Sequence, residues 1–105
     1  MHALHITFDA TQTPEELEQP FREYAEALRS MPGLQSKTWI VSGQTFGGFH
    51  VFDDRTAAEG YLASDLAAGL MATPGFSNFT VTHFDVLADL SAATGVSSRP
   101  ALAAG

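Results

Sequence analysis

Four histidines stand in a chain of 105 residues, and three of them, His5, His50 and His83, fall in runs that read as β-strands. Imidazole ionises nearer neutrality than any other ordinary side chain, so each ring can take or give a proton under mild conditions. His5, mid-strand among apolar residues, is the first candidate for a general base. His50 and His83 are further catalytic candidates, and His2 is expected to be terminal and solvated. If the three strand histidines share a face and a level, their rings converge. The other reading is that they are hydrogen-bonded parts of the sheet. They contain neither an HxH pair nor a helical i, i+4 pair, so no metal is expected.

Aromatic residues supply the walls that such a site needs. Trp39 can lie flat against a ring and offer its indole N–H, and Tyr61 brings a hydroxyl from the apolar side of a helix. Phe52 belongs with them as a substrate-binding candidate, although most of the eight phenylalanines must be core. Other chemistries are excluded by composition and spacing. Cysteine is absent, which removes thiolate chemistry and a disulfide framework and makes a cytoplasmic location the expectation. No serine sits in a G-x-S-x-G elbow. Gly47-Gly48 precedes a strand and opens no helix, so it is not a phosphate cradle, and no dinucleotide fingerprint for a flavin or nicotinamide is present. The formal charge of −7, twelve acidic against five basic residues, argues against a nucleic-acid partner. No apolar run reaches membrane-spanning length, and the N-terminus lacks the pattern of a signal peptide. No cofactor is expected.

The elements that must position these residues read clearly. Leu4, Ile6 and Phe8 alternate with His5 and Thr7, the period of a strand. Thr13-Pro14-Glu15-Glu16 is a capping box with proline at the first helical position, and apolar residues at 17, 21, 24, 25 and 28 follow at helical spacing. Pro20 predicts a kink, or a short first turn before a main helix. Met31-Pro32-Gly33 ends that helix. A second strand is expected from Leu34 to Val41, a turn at Ser42 to Thr45, and a third strand from about Phe46 to Phe52. Asp53-Asp54 should cap a second helix ending at Gly69 or at Thr73-Pro74-Gly75, directly or through a short continuation. The fourth strand is expected over Phe79 to Val86. Residues 1–91 then form one α+β domain, and 92–105 a tail of low order. The order β-α-β-β-α-β is ferredoxin-like, with an antiparallel four-stranded sheet.

Several short stretches, His-Ile-Thr-Phe at 5 to 8, Met-Pro-Gly-Leu at 31 to 34, Lys-Thr-Trp at 37 to 39, GGFHVFDD at 47 to 54, Tyr61-Leu62 and Phe84-Asp85-Val86, together resemble the YdhR-type monooxygenases. These belong to the dimeric α+β barrel superfamily, which also holds the antibiotic-biosynthesis monooxygenases. The resemblance covers residues 2 to 91 and implies a homodimer with sheet packed on sheet. It also implies a pocket between sheet and helices, and, as in some relatives, oxygenation of aromatic or polyketide-like molecules without metal, flavin or haem. His5, Trp39 and Tyr61 are expected on or near that pocket's wall, with His50 or His83 as further polar contacts. An isomerase or cyclase, or a non-catalytic binding dimer, would use the same pocket. Branches that use Asn with Trp, or Tyr with Arg, are not matched residue for residue, since the only asparagine is Asn78. Their catalytic roles are not carried over.

Overall fold

Strand β1 (His2–Ala10) buries Leu4, Ile6 and Phe8 on one face and turns His5, Thr7 and Asp9 to the other. The computed structural model in which this is seen describes residues 1–95, and the tail expected from Ala92 onward lies, beyond Gly95, outside the described residues. Helix α1 (Pro14–Leu28) opens as expected: the Thr13 hydroxyl accepts from the Glu16 N–H at 3.1 Å, and the Glu16 carboxylate accepts from the Thr13 N–H at 2.8 Å. Such a cap stabilises by about 1 kcal/mol. The helix runs unbroken across Pro20. Both Pro20 and the Glu16 residue whose carbonyl loses its donor are exposed, so water can take the place of the missing bond.

Strands β2 (Leu34–Ser42) and β3 (Thr45–Phe52) follow, joined by a two-residue turn in which Gly43 adopts φ 60°, the sign that tight hairpins need. The second helix takes the form of a helix with a short continuation. It divides into α2 (Arg55–Leu62), capped by Asp54, and α3 (Asp65–Met71), capped by Ser64. The Ser64 hydroxyl accepts from the Ala67 N–H at 3.2 Å and donates to the Tyr61 carbonyl at 2.5 Å, so one side chain closes one helix and opens the next. Strand β4 (Phe76–Asp85) starts three residues before the expected Phe79, and a short helix α4 (Ala88–Ala93), not anticipated, follows it. No described helix is long and apolar enough to cross a membrane.

The sheet order is β2-β3-β1-β4 with every pair antiparallel, the ferredoxin-like arrangement. Both outer strands carry a register shift, β2 at Gln35 and β4 around Asn78. Asn78 sits at φ 57°, and the extra residue lets Phe76 and Phe79 both face Phe8, with ring centroids 4.6 and 4.9 Å away. The core lies on one side of the sheet. One cluster joins Leu4, Ile6, Leu28, Phe52, Ala58 and Tyr61, and another Phe8, Leu17 and Phe46 with Phe21 and Phe76. On the other side Ile40, Phe49 and Phe84 are exposed, as are Leu87 and Leu90 on and beside α4.

Candidate active site between the sheet and the helices

The antiparallel register sets Lys37 opposite His50 and Trp39 opposite Gly48. Strand alternation therefore turns Lys37, Trp39 and His50 to the helix-covered face. Gly48 leaves the space they use: a Cβ there would lie 2.5 Å from Lys37 Cε and 3.1 Å from His50 Cε1. The lysine stem crosses this notch and brings Nζ to 3.4 Å from the centroid of the Trp39 ring and 5.2 Å from that of Tyr24.

Helix α1 covers the notch with Phe21 and Tyr24, whose rings lie 5.2 and 6.3 Å from Trp39. From α2, Tyr61 stacks on the His50 ring at 5.5 Å and meets the Tyr24 hydroxyl with its own at 2.5 Å. Trp39, Lys37, His50, Tyr61 and Tyr24 thus form a run of contacts that leads from Trp39, 37% exposed, through the half-buried Lys37 and Tyr24 to the buried His50 and Tyr61. Aromatic edges and faces make most of it.

Charge is scarce along this run. Burial brings the Lys37 amine down to about 7, and among the described residues no carboxylate lies within ion-pair distance of it. Burial, and then the neighbouring Lys37, lower His50 to about 4, incompletely opposed by the backbone of Leu4 and Gly48. His50 is 1% exposed, and its ring nitrogens approach the backbone of Leu4 and Gly48 without forming a hydrogen bond of good geometry among the described residues. An unpartnered buried polar group costs about 1–3 kcal/mol. Burial also raises both tyrosine hydroxyls above their ordinary range, so they stay protonated at neutral pH.

Phe21 and Tyr24 also border a cleft of about 400 Å³ between α1 and α3, with Leu66, Leu70 and Phe76. A narrow void of about 10 Å³ lined by Tyr24, Lys37, Trp39 and Leu70 lies behind it. A larger hollow, about 630 Å³, opens on the far side of the sheet between Ala3, Phe49, Val51, Phe84 and α4. Gln35, Ser36, Asp85 and Ser91 supply its polar groups.

The family model described as "Putative mono-oxygenase ydhR" matches residues 3–97. The chain belongs to the YdhR mono-oxygenase family. Solved structures share its fold at low identity. The NE2512 protein of unknown function from Nitrosomonas europaea is 21% identical over 82% of this chain and 88% of its own, with a TM-score of 0.62. SnoaB, a cofactor-independent oxygenase from Streptomyces nogalater, is 19% identical over 81% and 91%, at 0.66. An MhuD variant with two manganese protoporphyrin IX bound per active site is 16% identical over 83% and 95%, at 0.64. None of the curated proteins matches the chain. Likeness at this level carries the fold alone.

In this YdhR-family chain the expected site residues are distributed over two faces. Trp39, Tyr61 and His50 come together under the helices. His5 does not join them: it is an odd-numbered residue of β1, and the parity that buries Leu4 and Ile6 turns its ring to the bare face, 6.5 Å from Phe49. His83 shares a level with His50, since both pair with Leu4, but that leucine separates them. His83 Nδ1 lies 2.7 Å from His2 Nε2, and His2 Nδ1 lies 3.5 Å from Asp85. His2 is therefore buried, at 3% exposure, where solvation was expected. Phe52 is wholly buried and packs on Tyr61, behind the site. Among the described residues no group of three His, Cys, Asp or Glu stands close enough to hold a metal. Lys37, Tyr24 and Gly48 were not anticipated, although the i, i+2 spacing of Lys37 and Trp39 on one strand already places both on one face.

Proposed function

We propose that this protein is a monooxygenase that works without metal, flavin or haem on an electron-rich aromatic or polyketide-like molecule bound between the sheet and the helices. The observation that carries this reading is the run of contacts among Trp39, Lys37, His50, Tyr61 and Tyr24, in which polar groups meet aromatic faces and the buried imidazole makes no well-formed hydrogen bond among the described residues. Native folds rarely leave such a group unmatched unless a ligand matches it. Family membership supports the same reaction class.

A substrate of this kind, once deprotonated, can give an electron to dioxygen directly. One oxygen atom becomes a quinone carbonyl at a ring carbon and the other leaves as water with the two hydrogens that carbon gives up, so the substrate supplies all four electrons and the protein's tasks are to remove a proton, hold the ring and exclude solvent. Trp39 would offer the ring a face and Tyr24, set at 90° to Trp39, would meet it at an angle. His50, uncharged at neutral pH, offers one N–H donor and one acceptor, and Tyr61 fixes the far side with Phe52 behind it. Of the strand histidines only His50 contacts substrate in this reading. Two copies would pair through the bare sheet face that carries His5, Ile40, Phe49 and Phe84, all on the side the first three helices leave open.

Oxygen consumption with a panel of hydroquinones and anthrone-like compounds tests the proposal. Uptake that falls when Trp39 is replaced by Ala supports it. No uptake with any member, while rearranged or cyclised product accumulates, would replace it with the isomerase or cyclase reading.

A further inference from the structure

We propose that Lys37 takes the proton from a phenolic or enolic substrate, its buried amine then holding the anion as an ammonium–phenolate pair against the face of Trp39. This rests on reading the run of contacts under the helices as a substrate site. In the step, the substrate O–H bond breaks and its electron pair stays on oxygen. The amine lone pair forms the new N–H bond, so charge is conserved and no oxidant is used.

Geometry singles this amine out. The Gly48 notch admits its stem, and the 3.4 Å approach to Trp39 fixes its head. A lysine folded inward normally meets a carboxylate, and this one meets none within ion-pair distance among the described residues. The groups facing it are His50 from β3, Tyr24 from α1 with Tyr61 of α2 beyond it, and Leu70 from α3. All are neutral at neutral pH. A neutral buried amine is a competent base, and the ammonium it becomes is stabilised by the ring faces around it and by the anion it has made. The histidines are less suited: burial holds His50 too low to retain a proton at neutral pH, and His5 faces the opposite side.

The test uses 4-nitrophenol, which ionises near neutral pH and turns yellow as it does. With the whole protein in excess, the ionisation midpoint of bound 4-nitrophenol should fall by about 1 pH unit or more, as expected for a phenolate beside a new cation. Lys37→Met should abolish the shift. Absence of binding at millimolar concentration, or the same shift in Lys37→Met, overturns the proposal. Should the variant fail to fold, acylation of Lys37 in the wild-type protein with acetic anhydride, read by peptide mass spectrometry across pH, decides. A half-reaction point near 7 supports the proposal, and one near the ordinary lysine value of about 10 overturns it. Oxygen uptake separates this from the reading it rests on. Uptake unchanged in Lys37→Met removes Lys37 and leaves the oxygenase. A lysine-dependent nitrophenol shift in a protein that oxidises nothing keeps Lys37 and removes the oxygenase.

Discussion

The hydroxyls of Tyr24 and Tyr61 meet at 2.5 Å, one carried by α1 and the other by α2, and only Tyr61 is fully buried. The bond is symmetric, but its loss is not. Tyr24→Phe strands a hydroxyl that water cannot reach, at a cost of about 1–3 kcal/mol. Tyr61→Phe leaves the half-buried Tyr24 hydroxyl free to find solvent and should cost less than about 1 kcal/mol. Urea unfolding of both single variants and of the double variant checks this. The double variant should be more stable than Tyr24→Phe alone, and equal losses in the two single variants would contradict the argument.

The adjacent glycines of β3 should fail in different ways. A Cβ at Gly47 would lie 2.2 Å from the Ile6 carbonyl oxygen and 3.0 Å from Thr7 Cα, both backbone atoms of the paired strand. Gly47→Ala must push β1 and β3 apart and should destabilise by about 3 kcal/mol or more. At Gly48 the nearest atom is Lys37 Cε, near the end of a flexible chain. Gly48→Ala should fold, with a smaller loss of stability, and move the amine off Trp39. Thermal melting reports the first effect and tryptophan fluorescence the second.

Stability should depend on pH through Lys37. Its amine lies at about 7 in the folded chain against an ordinary value of 10.5, so between these values the unfolded chain binds more protons than the folded one. Stability therefore rises with pH across that window, by up to about 1.4 kcal/mol per unit. Below pH 7 both states are protonated and the full penalty of a buried ammonium is present. Lys37→Met should raise the melting temperature most near pH 6 and progressively less towards pH 10. His50 acts in the same direction at lower pH, between about 4 and its ordinary 6.5. A pH-independent gain in Lys37→Met would show that the amine is not desolvated.

The bare face should govern assembly. Phe49 stands at its centre beside His5, 39% exposed in one chain. Sedimentation equilibrium at micromolar concentration should find twice the chain mass for the wild type and the single chain mass for Phe49→Asp, because a carboxylate there would be buried without a partner. His5→Ala should change assembly more than turnover. Loss of oxygen uptake in a His5→Ala variant that remains dimeric would return that histidine to the chemistry.

Much of this architecture is written in local chemistry. The Thr13 capping box, the strand periods and the Asp54 cap each rest on a few neighbouring side chains, and all are found. The division at Ser64 is equally local, yet the apolar helical period runs on through it and masks the cap. The side on which His5 falls follows from Leu4, Ile6 and Phe8, whose burial decides the parity of β1. Lys37 was harder to read. A lysine on a strand of a small acidic chain looks solvent-facing, and what draws it inward is an absence, the missing side chain of Gly48 across the hairpin. Asn78 is harder still. Its positive φ moves Phe76 and Phe79 to the same face, and a strict two-residue count cannot pass through it.

The shifts at Gln35 and Asn78 lie on β2 and β4, which are the two free edges of the sheet. A strand arriving at either edge would find a ladder of donors and acceptors that falls out of step partway along, so edge-to-edge addition is frustrated at both rims. Irregularities of this kind act as guards against open-ended growth. They leave the exposed face, with Phe49 and Phe84 upon it, as the surface through which the proposed pairing of two copies would be closed.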